Sequence, residues 1–373
     1  MPKGYIGIIN ASEDESDIRS LTTNRPIASI PFASRYRIID FILSNMVNAG
    51  IRNVGIFAKS KSGSLVDHVE KGKPWDLDRK IDGLYMFHRG LADIMTNDSK
   101  MFRNNMEYIY RSREDSVILA SSYMICNMDL NKVVAFGEST QAEGADIIVI
   151  YKPIANAAKD FMNCTTLNLD ERGKLIGVSK NIGISKKANI CSEMFIMKKE
   201  ILIDLLYRNL QAGTGSSESG LGGGFNSTIY NNINKYNVVG YRFEGYMACI
   251  NSIHAYYKAN MEMLNHKITS ELFRSGNIYT KIKDEPPTRY LKGSSVSNCL
   301  VADGCVIEGK VSGSLLSRYV KVGKGAQVKN CIILQGCQIG AGVKLTNVIL
   351  DKNMELKGSY EFPLVIEKRG LVV

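Results

Sequence analysis

Apolar residues in the first 250 positions of the chain fall into short runs that are separated by segments of helical spacing. Arg37 to Asn48 has helical spacing, and Ile253 to Ser275 reads as one long amphipathic helix. Runs of strand length occur at Tyr5 to Ile9, Asn53 to Ala58, Ser116 to Ala120 and Asp146 to Tyr151. This alternation predicts a Rossmann-like α/β fold with a mixed, mostly parallel sheet. Ligands of such sheets bind beyond the carboxyl ends of strands, so we expect a site after Ile9 and after Ala120.

The last part of the chain contains an internal repeat. Similar segments begin at Asn298, Gly313, Asn330 and Asn347, at spacings of 15, 17 and 17 residues. Small or apolar residues recur in three columns: Cys299, Ser314, Cys331 and Val348; Cys305, Val320, Cys337 and Met354; Ile307, Val322, Ile339 and Leu356. Recurrence about every six positions is typical of hexapeptide repeats. We therefore predict a C-terminal left-handed parallel β-helix whose interior holds these columns, including four of the eight cysteines.

These patterns predict three parts of the chain. Residues 1–252 form the α/β domain, residues 253–288 form a linking helix and connector, and residues 289–373 form the β-helix. The glycine-rich segment Gln211 to Phe225 lacks the Gly-Lys-Ser/Thr of a Walker loop. We interpret that segment as a mobile surface loop.

Charge and cysteine content narrow the class of protein. The net charge of +10 favours anionic partners, such as nucleic acid, phosphorylated metabolites or an acidic protein. The alternative interpretation is that the charge only keeps the protein soluble. No run of five like charges and no arginine-rich arm is present, which disfavours nucleic acid. No cysteine or histidine spacing matches a zinc site. Without a signal peptide or an apolar stretch of ~20 residues, we expect reduced thiols, no membrane contact and a cytoplasmic location.

Several motifs resemble those of glucose-1-phosphate adenylyltransferase, also called ADP-glucose pyrophosphorylase. In chain order they are Leu21-Thr22, Arg25, Pro31-Phe32, Arg35 to Phe41 (RYRIIDF), Leu43-Ser-Asn45, Gly90 to Asp93 (GLAD), Gly245-Tyr246 and Tyr256 to Asn260 (YYKAN). The resemblance extends through nearly the whole chain and implies a nucleotidyltransferase domain followed by the β-helix. That family makes ADP-glucose from ATP and glucose 1-phosphate with Mg²⁺, for glycogen or starch.

The segment that aligns with the family's nucleotide-binding loop departs from it. The family's loop reads L-A-G-G-x-G-T-R-L-x-P-L-T; its glycines fall here on Ser12, Glu13 and Glu15, and its arginine falls on Asp17. The lysine of the family's R-x-K-P segment is replaced by Ile27. A triphosphate needs backbone N–H groups and a cation, whereas like charges ~6 Å apart repel by about 3 kcal/mol at an effective dielectric of ~20. We expect poor triphosphate binding unless these side chains turn outward.

The metal positions that the resemblance implies also differ. The family's two Mg²⁺-binding aspartates fall on Tyr123 and Cys249, and neither a phenol nor a thiol replaces a carboxylate at neutral pH. The lysine of the family's E-K-P segment falls on Asn181 with Lys180 adjacent, so that contact stays ambiguous. The resemblance thus implies a degenerate nucleotide and sugar pocket with no metal site, formed by Ser12, Glu13, Glu15, Asp17, Arg25, Ile27, Gly90, Asp93, Tyr123, Lys180 and Cys249.

This pattern of losses resembles the non-catalytic members of the family. The resemblance implies a regulatory, inactive subunit that joins a catalytic subunit in a hetero-tetramer and raises its activity in ADP-glucose synthesis. No cofactor is then expected in this chain, with Mg²⁺ bound only by the catalytic partner. Two alternatives are a weakly active glucose-1-phosphate adenylyltransferase and a free-standing sensor of sugar phosphates or nucleotides.

One further pair of residues matches a regulatory feature of the family. Arg35 and Arg37 occupy a segment whose basic residues contact phosphate-bearing regulators in relatives. Guanidinium groups suit phosphate because they form two parallel hydrogen bonds with it. We therefore predict an effector site for a phosphorylated metabolite at these two arginines, although arginines at a helix start also pair with nearby carboxylates.

Overall fold

The computed structural model describes residues 4–58, 62–88, 105–211, 225–358, 364–367 and 370–372. Its helices are α1 (Arg19–Thr22), α2 (Ile38–Asn48), α3 (Gly63–Val69), α4 (Met106–Arg111), α5 (Leu130–Gly137), α6 (Lys199–Gln211), α7 (Phe225–Tyr230), α8 (Ile253–Glu262) and α9 (His266–Leu272). Most of the glycine-rich segment, together with Gly90 and Asp93, lies outside the described residues.

The strands fall into a group before residue 250 and a group of very short strands after residue 288. The first group is β1 (Tyr5–Ala11), β2 (Pro31–Phe32), β3 (Tyr36–Arg37), β4 (Asn53–Ala58), β5 (Gly83–His88), β6 (Ser116–Ser121), β7 (Met124–Cys126), β8 (Ile147–Ile154), β9 (Thr165–Leu169), β10 (Leu175–Lys180), β11 (Ala188–Lys198), β12 (Val238–Arg242) and β13 (Met247–Cys249). The second group is β14 (Arg289–Tyr290), β15 (Ser295–Ser297), β16 (Leu300–Val301), β17 (Val306–Ile307), β18 (Lys310–Ser312), β19 (Leu315–Leu316), β20 (Lys321–Val322), β21 (Gln327–Lys329), β22 (Ile332–Ile333), β23 (Gln338–Ile339), β24 (Lys344–Thr346), β25 (Val348–Leu350), β26 (Glu355–Leu356), β27 (Leu364–Glu367) and β28 (Gly370–Val372).

The chain divides into two compact units, each built from separated segments. The first unit comprises Met1–Asp14, Ile39–Cys249 and Leu272–Tyr279. The second comprises Glu15–Ile38, Ile250–Glu271 and Thr280–Val373. The domain boundaries expected at residues 252 and 288 stay a prediction.

The first unit is the predicted α/β domain, and its mixed sheet is confirmed. Strands lie in the order β10, β9, β11, β6, β1, β4 and β5, while β8 pairs with both β11 and β12. The pairs of β1 with β4 and β6 are parallel, as are β4 with β5 and β8 with β12, whereas β11 is antiparallel to β6 and β8. The apolar runs expected to be strands are fully buried, as in Ile6, Ile8, Val117 and Leu119. Such runs occur where a sheet is covered on both faces.

The second unit contains the predicted β-helix. Its short strands stack in parallel in three sheets: β14, β17, β20, β23 and β26; β15, β18, β21 and β24; and β16, β19, β22 and β25, with β27 added to the last. The three predicted columns pack inside, since Ser314, Cys331 and Cys337 each have no exposed surface. Cys305 is also buried, and Cys299 is half-buried at the first coil. A left-handed hexapeptide β-helix is therefore confirmed.

The long helix predicted between residues 253 and 275 is wrong in its length. The structure has two shorter helices, α8 and α9. The Ser252 hydroxyl caps α8 by accepting the Ala255 N–H at 3.2 Å. Asn265 separates the two helices, because its side-chain oxygen accepts the Lys267 N–H at 3.0 Å at the start of α9. Asparagine competes for backbone hydrogen bonds in this way and so favours helix ends.

In the described part of the chain, no helix is both long enough and apolar enough to cross a membrane.

Candidate functional site

The carboxyl ends of β1 and β6 form the edge of the sheet where a ligand of this fold would bind. These strands are parallel neighbours, and Asn10 lies opposite Ser121 in their register. The chain continues from β1 into Ser12 and Glu13, and from β6 into Ser122 and Tyr123. The fold thus brings the segments flagged from sequence to adjacent strand ends.

Glu13 points into this edge of the sheet. Its two carboxylate oxygens accept the Ser122 backbone N–H at 2.5 Å and the Ser122 hydroxyl at 3.0 Å. Ser12 is buried, and its hydroxyl donates to the Asn10 side-chain oxygen at 2.5 Å. A carboxylate therefore already accepts the backbone N–H and the hydroxyl that a bound anion would use here.

Tyr123 and Cys249 lie in the same neighbourhood as Glu13. Cys249 sits on β13, opposite Met124 of β7, and is buried. Burial, aided by the nearby Glu193 and Glu13 carboxyls, raises the pKa of Tyr123 well above its usual value. Burial and contact with the Cys164 thiol likewise raise the pKa of Cys249. Both groups are thus neutral at physiological pH.

This donor set does not fit Mg²⁺. A protonated phenol and a protonated thiol are poor ligands for a hard cation that prefers carboxylates. In the described part of the chain, no group of three or more histidine, cysteine, aspartate or glutamate side chains is placed to hold a metal ion.

Glu193 is a buried carboxyl of this site that the sequence reasoning missed. It lies in β11 with a left-handed φ of 54°, where the pairing with β8 shifts register. Its carboxylate accepts hydrogen bonds from the Asn226 amide at 2.5 Å and the Tyr230 hydroxyl at 3.0 Å. Burial raises the pKa of Glu193. The only available signal was a charged residue inside an otherwise apolar strand.

Lys180 and Asn181 lie next to two residues that contact the site. Lys180 pairs with Thr165, whose side chain hydrogen-bonds to Glu193, and the Asn181 N–H donates to the carbonyl oxygen of Cys164, whose thiol contacts Cys249. Lys180 ends β10 with an exposed side chain, and β9, β11 and β6 lie between β10 and β1 in the sheet. The Asn181 amide is buried and donates to the carbonyl oxygens of Ala157, Asp160 and Phe161 at 2.8, 2.9 and 2.9 Å. Asn181 therefore holds a loop together.

Four other residues of the predicted nucleotide and sugar pocket belong to the second unit: Glu15, Asp17, Arg25 and Ile27. One Glu15 carboxylate oxygen accepts the backbone N–H of the buried Ile27 at 3.2 Å, and Asp17 is exposed. The acidic segment is thus divided: Glu13 bonds within the first unit, and Glu15 bonds within the second.

Arg25 forms the centre of a cationic cluster in the second unit. Its Nη2 donates to both carboxylate oxygens of Asp351 at 2.7 Å, and both side chains are nearly buried. Arg25 Nη1 is buried without a hydrogen-bond partner in the described residues. Arg37 and Lys283 also lie close enough to act on Lys352. Burial and the charges of Arg37, Arg25 and Lys283 lower the pKa of Lys352 to about 7.

The two predicted effector arginines lie at the end of a tight hairpin. β2 and β3 pair through Phe32 and Tyr36, and the turn residues Ala33 and Ser34 have left-handed φ values of 48° and 63°. Arg37 belongs to the cationic cluster, whereas Arg35 is exposed and is absent from the charges that act on Lys352. Asp351, Lys352 and Lys283 were missed because their proximity to Arg25 depends on the fold.

Two protein-family models match separate parts of the chain. Residues 16–160 match the model of the nucleotidyl transferase family, and residues 286–362 match the GlmU-like C-terminal hexapeptide model. The chain is 36% identical to the glycogen biosynthesis protein GlgD of Bacillus subtilis (strain 168), over 98% of this chain and 96% of that protein. It is 35% identical to GlgD of Geobacillus stearothermophilus, over 87% of this chain and 82% of that protein. It is 30% identical to the glucose-1-phosphate adenylyltransferase of Geobacillus stearothermophilus, over 87% of this chain and 83% of that protein.

Proposed function

Because the chain belongs to the family of the glycogen biosynthesis protein GlgD and glucose-1-phosphate adenylyltransferase, we propose that it is a regulatory subunit of ADP-glucose synthesis. In this proposal the chain does not itself transfer the nucleotidyl group. It joins a catalytic glucose-1-phosphate adenylyltransferase subunit in a hetero-tetramer and raises that subunit's activity in glycogen biosynthesis.

The observation that carries the proposal is the position of Glu13. Its carboxylate accepts the Ser122 N–H and hydroxyl at the end of the central strands. A triphosphate that entered this edge would have to displace that carboxylate and would then lie beside its charge. Like charges at this separation repel strongly, so the edge disfavours ATP.

The neutral state of Tyr123 and Cys249 supports the same conclusion. Burial raises the pKa of each group, so neither provides the anionic oxygen that Mg²⁺ needs. A phosphoryl-transfer site depends on the metal to neutralise the charge of the leaving pyrophosphate. A chain with this pocket has little means to stabilise that charge.

The cationic cluster supports the regulatory part of the proposal. In the second unit Arg25 pairs with Asp351, and Arg25, Arg37 and Lys283 lie close enough to Lys352, the next residue, to lower its pKa. An excess of cationic side chains in a partly buried place favours a small anion of high charge. The proposed effector is therefore a phosphorylated metabolite bound at this cluster.

The main experiment compares the purified chain with its mixture with the catalytic subunit from the same organism. We expect no ADP-glucose synthesis by the chain alone, and a higher rate and one shared size-exclusion peak for the mixture. Turnover by the chain alone near the ~10 s⁻¹ of a typical enzyme would contradict the proposal. Two separate peaks with an unchanged rate would contradict the regulatory role.

A rescue experiment tests whether the pocket is inactive for the stated reasons. The double variant Tyr123→Asp/Cys249→Asp restores two carboxylates but keeps Glu13, so we expect no catalysis. Activity should need, in addition, glycines at positions 12, 13 and 15, an arginine at 17 and a lysine at 27. Both variants are assayed for ADP-glucose side by side. Activity of the double variant alone would mean that Glu13 does not obstruct the site.

The effector site is tested with two matched arginines. Arg37→Ala should lower the response of the mixed complex to fructose 1,6-bisphosphate and similar metabolites, because Arg37 belongs to the cationic cluster. Arg35→Ala is the control, since Arg35 is exposed on the same hairpin. Equal responses in the two variants would place the effector elsewhere.

A further inference from the structure

An exposed apolar surface lies on β10 and on the loop that follows it, residues 181–187, called here the Ile182 loop. Ile176, Ile182 and Ile184 are 63%, 62% and 80% exposed. They are three of the five most exposed large apolar side chains in the described part of the chain, and they lie within nine residues of each other. Single exposed apolar residues are ordinary, but a group of them marks an interaction surface.

The Ile182 loop is held in place by hydrogen bonds, so it cannot simply fold its isoleucines inward. The buried Asn181 amide donates to three carbonyl oxygens of residues 157–161. The Asn181 side-chain oxygen accepts the Gly183 N–H at 3.1 Å, and the Ala157 N–H donates to the Lys186 carbonyl oxygen at 2.8 Å. Gly183 has a left-handed φ of 83°, a conformation that a β-carbon would disfavour. The loop therefore presents Ile182 and Ile184 on an ordered support.

A cavity of about 690 Å³ lies beside these isoleucines. Ile154, Ile182 and Ile184 form its apolar wall, and Lys180 and Lys187 are its charged residues. The lining contains no aspartate or glutamate. Neither lysine forms an ion pair with a described residue. The surface thus combines an apolar centre with a cationic rim, the usual arrangement of a protein interface.

The cavity is lined by residues of β8, β9 and β10, of the Ile182 loop and of the start of β11. Thr165 pairs with Lys180 and Thr166 pairs with Ser179 in the antiparallel register of β9 and β10. The Thr165 side chain hydrogen-bonds to Glu193, whereas Thr166 and Ser179 line the cavity. Glu13, Tyr123, Glu193 and Cys249 are not among the residues that line the cavity.

We propose that the surface formed by Ile176, Ile182, Ile184, Lys180 and Lys187 docks a segment of the catalytic subunit that carries apolar residues flanked by aspartate or glutamate. This inference rests on the proposed function. Charge complementarity selects an acidic segment, because the rim is cationic and the cavity lacks carboxylates. Ile176 is exposed on β10 but does not line the cavity, so an occupant that contacts it as well is longer than a small metabolite.

The test compares Ile182→Ser/Ile184→Ser with Ile81→Ser in the full chain. Ile81 is the matched control, since it is 68% exposed in the same unit but lies outside this surface. Binding to the purified catalytic subunit is measured by size-exclusion light scattering and titration, and activation by pyrophosphate release. We expect the double variant to bind the catalytic subunit at least ~10-fold more weakly, because it has lost two apolar anchors. The control should bind like the unmodified chain. Thermal unfolding confirms that each variant is folded.

A second measurement uses only the unmodified chain. Hydrogen exchange of residues 176–187 should slow when the catalytic subunit is added, and Lys180→Glu/Lys187→Glu should slow association most at low salt. Normal binding by the double isoleucine variant, or unchanged exchange within a formed complex, would overturn the docking surface while leaving the proposed function intact. No complex with the unmodified chain would overturn both. A dimer of this chain alone that the double variant dissociates would assign the surface to a second copy and also overturn the inference.

Discussion

The two polar centres of this chain differ in the charges that they collect. In the first unit, the carboxyl groups of Glu13 and Glu193 lie near Tyr123, and Glu193 is held by the neutral donors Asn226 and Tyr230. In the second unit, Asp351 pairs with Arg25, and the charges of Arg25, Arg37 and Lys283 act on the neighbouring Lys352. The first centre collects carboxyl groups, and the second collects cationic groups.

The comparison separates two uses of a carboxylate. Glu13 takes hydrogen bonds that a bound anion would otherwise accept, so it opposes anion binding. Asp351 neutralises part of a cationic cluster that would otherwise be costly to bury, so it stabilises the fold. Three substitutions test this difference.

The largest effect is expected for Asp351→Asn. The change leaves the Arg25 guanidinium buried without its anionic partner, so the free energy of unfolding should fall by about 3–5 kcal/mol. Urea denaturation measures the loss. The double variant Arg25→Met/Asp351→Leu is the control and should recover most of it, because both charges are then absent. A loss below about 1 kcal/mol in the single variant would show that the pair contributes as little as a surface salt bridge.

A smaller effect is expected for Glu13→Ala. The Ser122 N–H and hydroxyl lose their acceptor, and the free energy of unfolding should fall by about 1–3 kcal/mol. Asp17→Ala, at an exposed position of the same acidic segment, should change it by no more than about 0.5 kcal/mol. The two variants are compared by chemical denaturation at neutral pH. Equal effects would mean that Glu13 is no better bonded than an exposed side chain.

The smallest effect is expected for Lys352→Met and depends on pH. The pKa of Lys352 is about 7 in the folded chain and 10.5 in the unfolded reference, so the unfolded chain binds more protons between these values. Stability should therefore rise with pH from about 7 to about 10.5. The variant should lack this rise. We expect the rise in the free energy of unfolding to be about 1–2 kcal/mol, because solvent screens the charge of the partly exposed side chain.

The measurement for Lys352 is the denaturation midpoint at pH 7 and pH 9.5. The unmodified chain should gain stability between these pH values relative to Lys352→Met. Lys357→Met, an exposed lysine nearby, serves as the control and should keep the rise. A parallel pH profile for the unmodified chain and Lys352→Met would exclude a lowered pKa at this lysine.

The regular elements were largely predictable from local pattern. Buried strands such as β1, β4 and β6 follow uninterrupted apolar runs, which only a covered sheet accommodates. The columns through Cys331 and Cys337 follow a fixed spacing, so each coil repeats the last. The pattern failed between residues 253 and 275, because helical spacing continues through Asn265 although that side chain caps the second helix.

The candidate sites were predictable only in part. Alignment with the family's motifs predicts the loss of metal ligands at Tyr123 and Cys249, since each is a difference at a single position. The direction of Glu13 is not visible in this way, because an acidic loop can turn toward the sheet or toward solvent. Glu193 was missed since its carboxyl becomes part of the site only where β11 shifts register and α7 supplies Asn226 and Tyr230.

Local pattern was therefore enough to predict the α/β domain and the β-helix, because each depends on short-range spacing, whereas the loss of the metal ligands stays a prediction. Only the tertiary structure decided which charges meet. Arg25 and Asp351 are 326 positions apart, and no local pattern pairs them. The lowered pKa of Lys352 and the division of the acidic segment between Ser122 and Ile27 likewise depend on burial and distance, which arise only when remote segments pack.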